Sequence, residues 1–165
     1  PDTLGVLNPD DCYAFCRDMV ERYPELHFDF HAHNDYDLAV ANVAAAVKAG
    51  VQGIHTTVNG LGERAGNAPL SSVIAVLNDH LKVRNTIVEK SINHVSRIVE
   101  TYTGIHIPAN EPVVGENVFT QCAGIHADGD NKDNLYYNDL LPERFGRVRE
   151  YALGKMSGKA YVRVL

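Results

Sequence analysis

Two histidines one residue apart carry the first chemistry of this chain. In His31-Ala32-His33-Asn34-Asp35 an extended backbone turns both imidazoles to one side, because alternate residues of a strand share a face. That is the spacing at which two imidazole nitrogens can grip one metal ion. Asn67 is a candidate third donor, closing the loop Asn59-Gly60-Leu61-Gly62-Glu63-Arg64-Ala65-Gly66-Asn67 at the end of the next strand-loop unit. Two histidines and an amide oxygen leave positions for an acidic ligand and for substrate, which suits a divalent Lewis acid better than a closed structural zinc site. Asn67 has a second reading, as the cap of the following helix with Pro69 in its first turn. Glu63 and Arg64 also divide two ways, into a solvated ion pair or a buried orienting one. Asp128, Asp130 and Asp133 do not make a calcium loop, since Lys132 takes a ligand position and the glycine is misplaced. His27, His55, His80, His94 and His106 have no comparable constellation, so structural or exposed roles are expected of them.

The elements that would position these residues alternate. Asn8-Pro9-Asp10-Asp11 has helix-start chemistry, and Cys12, Phe15, Cys16, Met19, Val20 and Tyr23 recur at three and four, predicting an amphipathic helix ended by Pro24. Leu26 to His31 alternates as a strand, with Leu26, Phe28 and Phe30 on one face and His27, Asp29, His31 and His33 on the other. A helix from Asp37 to Ala49 closes at Gly50, and Val51 to Val58 reads as the next strand. A third helix follows, with Leu70, Val73, Ile74, Leu77 and Leu81 on one stripe. Strand, helix, strand, helix with short links implies parallel strands, and loops after such strands are where barrel enzymes hold their active sites. After Leu81 the alternation stops. Ile92, Val95, Ile98, Val99 and Tyr102 predict one more amphipathic helix, Gly104 to Gly115 a linker, Leu135 to Arg149 a helix around Pro142, and Gly154 to Lys159 a turn.

The 165 residues, 45% hydrophobic and 22% charged, suit a packed globular chain. A net charge of -6 without a basic stripe argues against a nucleic-acid partner. No apolar run approaches the roughly 20 residues of a membrane span, and the N-terminus lacks a signal-peptide layout. Three cysteines are an odd count without paired spacing; Cys12 and Cys16 read as buried free thiols, and a reducing cytoplasm is the expected compartment. The chain opens on Pro1-Asp2-Thr3 with no methionine, as a fragment would.

H-A-H-N-D-Y-D-L-A-V-A-N from His31 to Asn42 and T-V-N-G-L-G-E-R-A-G-N-A from Thr57 to Ala68 resemble the signature motifs of the 2-isopropylmalate synthase and (R)-citramalate synthase family. This is the acetyl-CoA-condensing branch of the metal-dependent TIM-barrel synthases and lyases. Asp2-Thr3-Leu4-Gly5, Gly124 to Lys132 and G-K-M-S-G-K-A from Gly154 extend the resemblance over nearly the whole chain. It implies an α/β fold: the last two strand-helix units of a (β/α)8 TIM barrel over residues 1–90, then a mostly helical linker subdomain over 91–165, incomplete at its C-terminus.

By the same resemblance His31, His33 and Asn67 map onto metal ligands for a divalent ion (Mn, Mg or Zn), and Thr3 onto a contact to the keto-acid carboxylate. His126 and Tyr136 map onto a proton-handling pair that Asn134 orients, on a linker that in the family reaches the partner's barrel within a homodimer. The implied reaction condenses acetyl-CoA with 2-ketoisovalerate or pyruvate in branched-chain amino-acid (leucine or isoleucine) biosynthesis. The family's fourth metal ligand, an aspartate in an R-D-G motif, has no counterpart here, so the isolated chain is expected to be inactive. Cys16-Arg17-Asp18-Met19 belongs to a helix and is not that motif. Met156 stands where relatives often have threonine or histidine. Homocitrate synthases are similar but tend to show leucine where Asn59 stands. HMG-CoA lyases usually carry aspartate directly after the second histidine and lack the G-E-R-A-G-N loop. The rival outside catalysis is a dimerisation or regulatory module.

Overall fold

The structure, a computed structural model, describes residues 1–123, Gly129 and residues 138–155. The chain divides into two compact units, Pro1–Ile87 and Val88–Leu165.

In the first unit, α1 (Pro9–Arg22) starts where its chemistry dictates. The Asn8 side chain accepts from the backbone N–H of Asp10 and Asp11, and both acids sit at the positive end of the helix dipole. Cys12 and Cys16 form its buried face against α2 (Ala39–Ala49), as expected of free thiols used as small apolar groups. The Cys12 thiol donates to the carbonyl of Asn42, and its hydrogen bond with Cys16 together with burial holds its pKa far above the ordinary thiol range. Alanine fills α2 because its buried stripe touches neighbours on several sides: Ala39, Ala46 and Ala49 are completely covered, and larger side chains would hold the elements apart. The helix starts two residues later than the periodicity predicts, since Asp37 lies at φ 59° and cannot begin it. Instead Asn34 Oδ1 accepts from the Ala39 N–H, satisfying one of the free amides at the helix start.

Strand β1 (Asp29–His31) pairs in parallel with β2 (Gly53–His55), in the register Asp29↔Gly53, Phe30↔Ile54 and His31↔His55. Phe30 and Ala32 are buried in the core with Val43, Val51 and Val73, while Asp29 and His55 remain exposed on the other side. A further parallel bridge joins Asp2 to Ala32, its N–H donating to the carbonyl of His31. Strand β2 is shorter than the expected Val51 to Val58. Its chain leaves the ladder at a 3-10 turn, Val58–Gly60, in which Asn59 takes φ 58°. Helix α3 (Leu70–Asp79) buries Val73, Ile74 and Leu77.

The described residues of the second unit are less helical than expected. Helix α4 (Glu89–Thr103) lies wholly within it and ends at left-handed Gly104. The stretch read as a linker, 104–115, is instead folded into turns that bury Val113 and Val114. Residues 138–141 are not helical, and the expected helix around Pro142 is only a 3-10 turn, Pro142–Phe145, stopped by left-handed Gly146. A short parallel pair, β3 (Thr120–Gln121) with β4 (Glu150–Tyr151), completes the described residues of this unit. No helix among the described residues is long and apolar enough to cross a membrane.

Candidate metal and substrate site

Strand pleat and a folded-back loop build the site at one end of the first unit. His31 closes β1 and His33 follows it on the same face, so their Nε2 atoms come within 3.3 Å and their rings meet edge to face at 4.9 Å. With metal–nitrogen bonds of about 2.0–2.1 Å, two ligands lie about 2.8–3.0 Å apart at an octahedral angle and about 3.3–3.4 Å apart at a tetrahedral one, so this separation fits a shared cation. Burial, followed by the nearby His33 and His55 rings and the N-terminal ammonium, lowers the pKa of His31. Its imidazole is therefore neutral at pH 7, the form in which a nitrogen lone pair is available.

The loop that carries Asn67 does not project into solvent. Its far side returns to the end of β1: Asn34 N–H donates to Gly66 O at 3.0 Å, Ala68 N–H to Ala32 O at 3.2 Å, and Asn67 bridges His33 in antiparallel fashion. Gly66 allows this closure. It sits at φ +85°, and a Cβ there would lie 2.0 Å from the Gly60 carbonyl oxygen. The cap reading of Asn67 is not what forms. Pro69 is the cap residue of α3 with no side-chain cap bond, and Asn67 Nδ2 donates to Leu61 O at 3.0 Å within its own loop. Asn67 Oδ1 is buried with no hydrogen-bond partner, as is His33 Nδ1. A buried, unused amide oxygen on the residue bridged to His33, with the histidine pair, is a donor set suited to a divalent cation. Among the described residues no three His, Cys, Asp or Glu groups are placed to hold a metal ion, so any site here draws on the amide as well as the imidazoles.

Thr3 is exposed, and its carbonyl accepts from Arg64 Nη2 at 2.9 Å. His126, Asn134 and Tyr136, together with Asp128, Asp130 and Asp133, lie outside the described residues.

Three residues near the site went unassigned by sequence reasoning. His55 stacks edge-on to His31 with ring centroids 5.6 Å apart, a consequence of the register that pairs the two. Asp29 takes a hydrogen bond from His27 at 2.9 Å and lies 3.5 Å from His55 Nε2. Asp35 is the partner of Arg64, through Nε to Oδ1 at 2.8 Å and Nη2 to Oδ2 at 3.0 Å, while Glu63 lies 3.9 Å away and contributes little. An in-register pairing of the two predicted strands would have revealed His55; the Arg64–Asp35 pair, 29 residues apart, left no periodic trace.

Comparison with known proteins fits this picture. Residues 113–164 match the homocitrate synthase post-HMGL domain-like family. A homocitrate synthase of Sulfolobus acidocaldarius is 44% identical over 98% of this chain, which covers 34% of that relative. A Methanopyrus kandleri protein named as an (R)-citramalate synthase is 42% identical over 98% of this chain and 32% of its own length. The chain thus spans about a third of the length of the curated relatives it matches (34% and 32%). Among solved structures, an HMG-CoA lyase of Bacillus subtilis superposes with a TM-score of 0.60 at 20% identity, over 68% of this chain and 39% of that one. An HMG-CoA lyase of Acinetobacter baumannii gives 0.56 at 22%, over 63% and 36%. These two show a likeness of fold. The HMGL-like family model matches residues 1–99, and the chain belongs to the HMGL-like family.

Proposed function

We propose that this chain is part of an acetyl-CoA-condensing synthase of the 2-isopropylmalate and citramalate type, contributing the last two strand-helix units of a TIM barrel and a following linker subdomain. The observation that carries the reading is the pair of neighbouring His31 and His33 nitrogens together with the buried, unpartnered Oδ1 of Asn67, the residue bridged to His33. The curated relatives named homocitrate and citramalate synthase support the reaction class.

In this reading His31, His33 and Asn67 hold a divalent ion, Mn, Mg or Zn. When bound, such an ion supplies Lewis acidity that makes a 2-keto acid's carbonyl carbon electrophilic. Thr3 contacts the carboxylate of the keto acid, beside the guanidinium that already holds its carbonyl. His126 and Tyr136 handle protons with Asn134 orienting them: one takes a proton from the acetyl methyl group, and the resulting enolate carbon bonds to the keto carbon. The new alkoxide oxygen is protonated, and water cleaves the thioester to free CoA and a carboxylic acid. Loss of the thioester makes the condensation irreversible. The partner in this account is a second copy of the whole protein, working in the cytoplasm.

The keto acid is 2-ketoisovalerate or pyruvate. A second reading, a homocitrate synthase acting on a dicarboxylic 2-keto acid, is favoured by the names of relatives at 44% and 40% identity. The test is release of free thiol from acetyl-CoA by a protein carrying this chain with the rest of its barrel, with 2-ketoisovalerate, pyruvate and the dicarboxylic acid in parallel. Release should require both a keto acid and a divalent metal, and the preferred acid separates the two readings. Release that needs neither would overturn both, and acetyl-CoA formation from a hydroxyacyl-CoA without keto acid would indicate a lyase.

A further inference from the structure

We infer that Arg64 is a positioning residue of this site: its guanidinium ties together the three segments that carry Thr3, His33 and Asn67. The inference deepens the metal-site reading above and rests on it for its functional meaning. Arg64 lies in the same loop as Asn67. Its side chain reaches back 29 residues to both carboxylate oxygens of Asp35, two residues past His33, and 61 residues back to the carbonyl of Thr3. The pairing with Asp35 is forked, the geometry a guanidinium achieves and an ammonium does not.

Arg64 adopts φ 55°, an uncommon left-handed conformation for a residue other than glycine. The Asp35 carboxylate is also held from the other side. Gly5 packs against it at φ +60°, and a Cβ on Gly5 would fall 2.8 Å from Asp35 Oδ2. The segment around Thr3 thus approaches Asp35 directly and through Arg64.

A bland surface ion pair would look different. Arg22 and Asp18 pair four residues apart on α1, with side chains 66% and 51% exposed, and join nothing that the helix does not already join. The Arg64–Asp35 pair is less exposed, at 40% and 23%, and links separate segments. With Nε and Nη2 committed to protein acceptors, Arg64 acts as a strut and leaves anion capture to other groups. What it fixes is the distance between the histidine pair and the amide oxygen, the coordinate on which shared coordination depends.

The experiment compares Arg64→Gln, Arg64→Lys, Asp35→Asn and the surface control Arg22→Gln with the parent 165-residue chain. Mn2+ affinity is measured by electron paramagnetic resonance, and hydrogen exchange is followed at the Asn34 and Asn67 amides, which donate to Gly66 and Gly60. Arg64→Gln should weaken Mn2+ binding by about 10–100-fold, the range for groups that orient metal ligands. It should also speed exchange at Asn34 and Asn67 while exchange in α2 and α3 stays unchanged. Asp35→Asn should do the same, Arg64→Lys should fail to restore affinity, and added guanidinium should restore it in Arg64→Gln. Arg22→Gln should change nothing. Unaltered exchange at both amides in Arg64→Gln and Asp35→Asn overturns the inference, as does parental Mn2+ affinity in Arg64→Lys. If the parent chain binds no Mn2+, the metal reading fails by itself and the exchange data still decide the role of Arg64. If Arg64→Gln does not fold, Asp35→Asn carries the comparison.

Discussion

In the unit Pro1–Ile87, α2 and α3 bury their apolar stripes and α1 buries Cys12 and Cys16, though Phe15 and Tyr23 stay exposed, while the polar groups that matter gather where β1 and the Asn67 loop end. In the unit Val88–Leu165, α4 leaves Val95, Ile98 and Tyr102 exposed, at 38%, 40% and 87%, and buries only Ile92 and Ser96. Arginines take over the tying there. Arg144 makes a two-toothed bond to Glu89 and also donates to the carbonyl of Asp139. Arg147 donates to the carbonyls of Gly115 and Glu116 and lies over the ring of Phe119, which stacks on the fully buried Phe145. A core of interlocking helices leaves a strand end free to specialise; a turn-rich unit must spend its polar side chains on satisfying its own backbone.

The largest test of that contrast is in the first unit. Gly66→Ala places a methyl against the Gly60 carbonyl in a left-handed conformation, and should cost about 3 kcal/mol or more in urea unfolding of the chain. A loss within about 0.5 kcal/mol would mean the loop closes by another route.

The next test lies in the second unit. Arg144→Ala should cost about 1–2 kcal/mol, since it removes the guanidinium that donates to the largely buried Glu89 and to a backbone carbonyl. Ile98→Ser on the exposed face of α4 should stay within about 0.5 kcal/mol. The reverse ranking would show that the apolar face of α4, and not its arginines, holds the unit.

The smallest effect is a pH dependence. Glu100 accepts from the Ile107 N–H, then from Arg97, with His106 nearby, and these hold its carboxyl below the usual glutamate range. A lowered folded pKa stabilises the native state above the unfolded value and loses that contribution as pH falls through the folded one. The protection factors of the amides around Ile107, with the intrinsic pH dependence of exchange divided out, should therefore fall between about pH 5 and 3 in the parent and stay flat over that range in Glu100→Gln.

Sequence and structure agree best where a period was long. The stripe of α3 and the Cys12–Cys16 face of α1 were legible because burial repeats every three to four residues, although Phe15 and Tyr23 of the expected α1 stripe are exposed, and the shared face of His31 and His33 because a strand alternates. What no period encodes was missed. The early turn at Asn59 shortens β2, Asp37 delays α2, and Asp35 and Arg64 meet only because two loops fold back to one place. The same reason explains 104–115, read as a linker from its Pro and Gly content yet packed around Val113 and Val114 by turns that composition alone does not distinguish from open chain. Of the candidate site, the histidine pair and Asn67 were legible, whereas the buried and unpartnered state of the Asn67 oxygen emerges only from the packing of the loop.

The central claim, that His31, His33 and Asn67 hold one divalent ion, is tested most directly by Mn2+-induced broadening of their side-chain nuclear magnetic resonances in the parent chain and in His33→Ala. The account predicts broadening that is strongest at the His31, His33 and Asn67 signals in the parent and falls off with distance from them, and its loss at His31 and Asn67 in the variant. Equal broadening at His31 and Asn67 in both proteins, or none in the parent, would contradict it.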